Sequence, residues 1–200
     1  MQKAIPMKYF FICTLFFLSC LLSACKEDVY TPKPKGYYRI ELPQHAYQSF
    51  DTNYPYQFEY SKYAFILPDK SKNSEPYWIN MVYPSLNATV FVSYKQADDN
   101  IDTMINDSKK FVSEQIKKAD DIIEYYIYDS VNHVYGTSYD ILGNQVACPY
   151  QFWLTDKDKH FFRAALYFNH TPNNDSLSPV IDYIKTDIVH LMETFRWKKQ

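Results

Sequence analysis

Few residues in this 200-residue chain have the type and spacing that chemistry requires. The five histidines are His45, His133, His160, His170 and His190. None stands at metal-ligand spacing from another histidine or from a cysteine, so no metal site is expected. The three glycines, Gly36, Gly136 and Gly143, cannot build a phosphate-cradling loop. Gly-x-Ser-x-Gly, His-Glu-x-x-His and Cys-x-x-Cys are all absent from the sequence. Asn173-Asn174-Asp175-Ser176 offers oxygen ligands but not the number or spacing of a calcium loop, and reads as a turn. No catalytic residue is assigned and no cofactor is expected. The chain is read as a protein that is not an enzyme.

Two cysteines and one arginine remain as candidates. Cys25 closes Leu22-Ser23-Ala24-Cys25, behind an apolar stretch from Tyr9 to Ala24 that Lys3 and Lys8 precede. A basic start, an apolar middle and small residues before a break make a secretory signal peptide. The apolar stretch is short for a membrane span, which needs about 20 residues. The Cys-terminated string resembles the lipobox of bacterial lipoproteins, in which the thiol is acylated and the Cys becomes the new N-terminus. Cys25 is therefore the expected lipidation site, with palmitate among the acyl groups. Two or more chains hold a protein stably on a bilayer, at about 0.8 kcal/mol per buried CH₂. Cys13 and Cys20 would leave with the signal, and an acylated Cys25 could form no disulfide with Cys148. Cys148 lies between Val146 and Tyr150 on the apolar face of an expected strand and reads as a small core residue.

Arg163 falls mid-strand, on the face opposite Phe162 and Ala164 and beside Phe161 and Tyr167. A long cation there is expected to pair with a carboxylate, with Asp140, Asp156 and Asp158 as candidates. The alternative is that it reads an acidic group on a partner. Arg163, Tyr167, Trp78 and Trp153 are the candidate interaction residues. The two tryptophans stand opposite the apolar stripes of their strands.

The elements that must position these residues follow from periodicity. Residues 1–24 are the expected signal peptide. Residues 25–36, with Pro32 and Pro34, are a tether without hydrophobic period. Residues 37–200 are expected to be one globular domain, large enough for a real core. Lys26-Glu27-Asp28 is either a solvated part of the tether or similar to surface-export signals of some Bacteroidetes lipoproteins. Removing the signal takes two of the 21 basic residues and none of the 23 acidic ones. The acidic balance gives no argument for nucleic acid.

Strands are expected as one or two over Tyr56–Leu67, then Tyr77–Tyr83, Ala88–Lys95, Ile122–Tyr128, Val134–Leu142, Val146–Leu154 and His160–Asn169. Helical spacing runs from Asn100, a candidate N-cap, to about Lys118. A second helix is expected from Ser178, with Pro179 in its first position. Short turns between strands argue for an antiparallel sheet, and two amphipathic helices for α+β layering. Many of the 20 tyrosines lie in strands, where Tyr suits a surface half packed and half wet.

Several strings together resemble a known family. They are Pro34-Lys35-Gly36-Tyr37-Tyr38-Arg39-Ile40-Glu41-Leu42-Pro43, Tyr135-Gly136, Gly143-Asn144, Gln151-Phe152 and Thr155-Asp156. His160-Phe161-Phe162-Arg163-Ala164-Ala165-Leu166-Tyr167-Phe168, Pro172-Asn173, Asp175-Ser176-Leu177, Pro179-Val180, Glu193-Thr194 and Trp197-Lys198 follow. Their order and spacing are similar to the GldD family of gliding-motility lipoproteins of Bacteroidetes. The resemblance implies a cell-envelope lipoprotein required for gliding and linked to type IX protein secretion. It implies other gliding and secretion proteins as partners and no catalytic residues. The strand–helix–strand–helix order also looks like the Mog1/PsbP-type α/β/α sandwich, a fold-level analogy that supplies no activity.

The expected function is a lipid-anchored, non-enzymatic interaction or assembly subunit. The outer membrane is favoured over the inner, and periplasmic or surface facing is left open. The alternative is a membrane-tethered module for a glycan or small ligand, using Trp78 and Trp153.

Overall fold

The structure is a computed structural model that describes residues 41–97 and 100–198. The expected signal peptide, Cys25, the tether and most of the Pro34–Pro43 string lie outside the described residues.

Among the described residues ten strands and two α-helices build an α+β fold, as the periodicities suggest, but the strands form two antiparallel sheets where one was expected, and residues 47–50 and 196–197 are strands the sequence reading did not mark. The small sheet joins β1 (Tyr47–Phe50), β2 (Tyr56–Ser61) and β10 (Arg196–Trp197) in the order β1-β2-β10. The large one has seven strands. They are β3 (Phe65–Pro68), β4 (Ile79–Tyr83), β5 (Ala88–Gln96), β6 (Asp121–Asp129), β7 (Val134–Leu142), β8 (Tyr150–Thr155) and β9 (His160–Phe168). Their order is β3-β4-β5-β9-β8-β7-β6, which leaves β6 at one edge. Helix α1 (Ile101–Ser113) covers part of one face of this sheet, and α2 (Asn174–Thr194) packs on the other with the small sheet.

Register decides which residues share a face, because successive side chains on a strand alternate. Tyr94 pairs with Phe162, Leu154 with Phe162, and Gly136 with Leu154, so these four positions form one row across β5, β9, β8 and β7. That row faces α2. A Cβ on Gly136 would run into the Trp153 carbonyl oxygen, so only glycine fits there. The core under α2 gathers Ile79, Met81, Val90, Val92, Phe152 and Leu166 from the sheet and Val180, Ile184, Ile188 and Leu191 from the helix. Phe162 is its aromatic hub, with ring centroids 5.0 Å from both Tyr56 and Phe195 in edge-to-face geometry.

The opposite row contains Ser93, Arg163, Trp153 and Thr137. A smaller cluster there joins Val112 of α1 to Tyr139, Ile141, Trp153 and Phe161.

The turns show why the chain reverses where it does. Asp156 Oδ1 accepts the backbone N–H groups of Asp158, Lys159 and His160 at 3.0, 2.9 and 2.9 Å, closing the β8–β9 hairpin. Asp129 Oδ1 does the same for Val131 and Asn132 between β6 and β7. Gly143 ends β7 at φ 144°, a conformation L side chains rarely adopt.

Several boundaries differ from the sequence reading, the strand expected from Tyr77 starting at Ile79, and three have a visible cause. Strand β8 starts at Tyr150, so Val146 and Cys148 lie in the preceding loop, although both are buried. Pro149 has no N–H to give a ladder, and only its carbonyl accepts, from Ile141 at 2.9 Å. Helix α1 ends at Ser113, and tighter three-residue turns carry the chain to β6. Helix α2 begins at Asn174, with Pro179 inside it. Its start is fixed by the β7–β8 loop. Asn174 Nδ2 donates to the carbonyls of Gly143 and Val146 at 2.9 Å each, and the Asp175 N–H donates to Asn144 Oδ1 at 3.1 Å. These contacts with residues about thirty positions away outweigh the local preference for Pro in the first turn.

Candidate functional site

Among the surfaces that leave aromatic and charged groups exposed, two bear on the interaction role expected from the sequence. The first is the β6 edge. Its sequence, DIIEYYIYD, places tyrosines on both sides of the strand. Tyr125 and Ile127 lie on the α2 side, opposite Ser138 and Gly136 of β7, while Tyr126 and Tyr128 lie on the other. Tyr126 is 82% exposed and Tyr128 75%. Between β6 and α2 runs a groove of about 620 Å³, lined by Tyr125, Ile127, Val189, Met192, Lys185 and Glu193 among others. Lys185 forms an ion pair with Asp140 in that groove. Lys157 sits 3.8 Å above the Tyr135 ring, which is edge-on to Tyr128 at 5.3 Å.

A long exposed edge with unpaired backbone groups invites pairing with another chain. Asp121, Glu124 and Asp129 on β6 oppose pairing of this edge with itself by like-charge repulsion.

The second surface is a cleft between α1 and strands β5 and β9. It has a volume of about 390 Å³, with Trp78, Phe111, Phe161 and Met104 as apolar walls and Arg163, Lys95 and Asn100 among its polar groups. Arg163 is half-buried at its centre. One terminal nitrogen donates to Gln151 Oε1 at 2.7 Å, and its guanidinium carbon lies 4.5 Å over the Phe111 ring. Burial pulls the guanidinium below its ordinary pKa.

The expected carboxylate pair is not formed. Asp140 is taken by Lys185, and Asp156 holds the β8–β9 turn. Among the described residues no ion pair involves Arg163.

The other candidates fall in different places. Trp78 is half-buried, lines the cleft and donates its indole N–H to the Tyr94 carbonyl at 2.8 Å. Trp153 sits opposite Arg163 in the ladder but is only 8% exposed, stacked on Phe161 in the cluster under α1. It is therefore a core residue, because α1 covers the face that alternation had assigned to solvent. Tyr167 lies further along β9, edge-on to Phe91 at 5.7 Å, and burial pushes its hydroxyl up to about 12. Burial likewise pushes the Cys148 thiol up to about 12, the state of an unreactive core cysteine.

A buried carboxylate, Asp187, lies 2.7 Å from His45 Nδ1 and accepts the Tyr83 hydroxyl at 3.2 Å. This contact ties the segment before β1 to α2.

Sequence reasoning passed over Phe111 and the tyrosines of β6. The signal for the latter was present. A strand covered on both faces fills both parities with aliphatic residues, whereas Tyr125, Tyr126 and Tyr128 occupy both with groups that tolerate water.

Comparison with known proteins adds the family. No curated protein matches the chain. Among solved structures, it is similar to the solution structure of cyanobacterial PsbP (CyanoP) from Synechocystis sp. PCC 6803. The likeness has 12% identity and a TM-score of 0.47, and covers 80% of this chain and 98% of that one. The family model described as gliding motility lipoprotein GldD matches residues 27–197. With nearly all of the sequence beyond Cys25 inside that match, the chain belongs to the gliding motility lipoprotein GldD family.

Proposed function

We propose that this protein is a non-enzymatic interaction or assembly subunit of the gliding apparatus and of type IX protein secretion. Acylation of the Cys25 thiol tethers it to a membrane of the cell envelope, the outer membrane before the inner. The observation that carries the reading is the β6 edge, where Tyr125, Tyr126 and Tyr128 stand exposed on a nine-residue strand that pairs on one side only among the described residues. Tyrosine is enriched at protein interfaces because it offers a large rigid apolar area with a polar tip at low entropic cost. A partner segment added alongside β6 would gain main-chain hydrogen bonds from the edge and side-chain contacts from the tyrosines.

The lipid contributes without a new contact. It confines the domain near partners in the same membrane and raises their effective concentration. Deleting the gene should abolish surface spreading and type IX secretion. Complementation with Cys25→Ser should restore a folded protein and only part of both activities. Spreading and secretion left intact by the deletion would overturn the reading. Full rescue by Cys25→Ser would overturn the tethering part.

A further inference from the structure

Arg163 stands in an environment that calls for an anion. A half-buried guanidinium keeps its charge at neutral pH, so burial without a counter-ion is a cost rather than a neutralisation. In this structure one donor is spent on Gln151 and one face on Phe111. Gln151 is itself buried, which fixes the guanidinium in place. An arginine presents five N–H donors in a planar fork that fits a carboxylate, and most of those donors remain.

The surroundings narrow the ligand. The N-terminal turn of α1 lines the cleft through Asn100 and Thr103, its partial positive charge offset by Asp102 in the same turn, so Arg163 supplies the charge that recognises an anion. The second nearby cation, Lys95, is already paired with Glu75 at 2.8 Å, and Asp107 stands on the wall. Asp107 repels added negative charge, so a single negative charge held by the free donors of Arg163 is favoured over a doubly charged phosphate. Trp78, Phe161, Phe111 and Met104 line the remainder with apolar surface. A volume of about 390 Å³ lies within the range of small-molecule pockets.

We propose that the cleft between α1 and strands β5 and β9 binds a small organic monocarboxylate with a flat apolar body. The carboxylate sits on Arg163, and the body lies between Trp78, Phe161 and Phe111. The site is separate from the β6 edge, so its failure would leave the docking function of that edge standing.

The test uses the full-length lipidated chain in a non-ionic detergent, titrated with 4-fluorobenzoate and observed by fluorine NMR. Saturable broadening is expected at millimolar probe or below. The uncharged isostere 4-fluorobenzamide should bind about tenfold more weakly, the loss expected when a charge-assisted hydrogen bond is replaced by a neutral one. Arg163→Gln should weaken 4-fluorobenzoate binding by at least about tenfold in a protein that still unfolds cooperatively. Should Arg163→Gln fail to fold, Trp78→Leu carries the same test through loss of the apolar wall. Equal binding of acid and amide, or undiminished binding by Arg163→Gln or by Trp78→Leu, would overturn the proposal.

Discussion

The two faces of the seven-stranded sheet are built to different specifications. The face under α2 is sealed. Phe162, Leu154, Val90 and Leu166 are fully buried there, the small sheet adds Tyr56 and Phe58, and Phe195 joins them from the end of α2. The face under α1 is covered by a shorter helix that seals only the Trp153–Phe161–Ile141 region. Beside that sealed region, α1 and the sheet leave a cleft around Arg163, which has no ion-pair partner among the described residues, and at the β6 edge tyrosines face water. Burial of apolar area supplies most of a domain's stability. The difference therefore teaches that stability is concentrated on the α2 side, while part of the other face and the β6 edge stay open to solvent, as the proposed docking role requires.

That division can be broken by substitution. The largest expected effect is at the sealed core. Phe162→Ala removes the ring on which Tyr56, Phe152 and Phe195 converge, and should cost about 3–5 kcal/mol. Urea unfolding measures it, and a loss comparable to that of an ordinary surface substitution would remove the distinction between the faces.

A smaller effect is expected at the β8–β9 turn. Burial alone would raise the Asp156 carboxyl, but the amides of His160, Asp158 and Lys159 hold it below its usual range. A carboxyl whose folded pKa is depressed stabilises the fold above its unfolded pKa, and the contribution is lost as pH falls through the folded value. Asp156→Ala should therefore destabilise by about 1 kcal/mol at neutral pH, through lost turn hydrogen bonds. The difference from the parent should shrink in strongly acidic buffer, as thermal melts across the acid range would show. A difference constant with pH would mean that the carboxylate charge does not matter to the turn.

How much of this was legible in the sequence follows the same division. Period-two alternation located β5 and β7, and the stripe Ile181, Ile184, Ile188 and Leu191 marked the buried side of α2. Those patterns are local, so one chain reveals them. Alternation states that a strand has two faces but not what lies on each. Trp153 reads as exposed for that reason, and only the placement of α1 buries it. The start of α2 was illegible because Asn144, thirty residues away, sets it. Arg163 reads as one half of an ion pair because sequence supplies candidate acids but not their distances. The structure gives Asp140 to Lys185 and Asp156 to backbone amides.

The smallest expected effect on stability is also the most informative about function. Tyr126 and Tyr128 project from β6 into solvent, so replacing both by Ser should change stability by less than about 0.5 kcal/mol per site. The measurement that bears most directly on the proposed role is surface spreading and type IX secretion in a strain whose only copy of this protein is Y126S/Y128S. Protein level and melting temperature are checked alongside. The docking role of β6 predicts a folded, normally abundant protein with both activities lost or sharply reduced. Spreading and secretion at parental levels would contradict it.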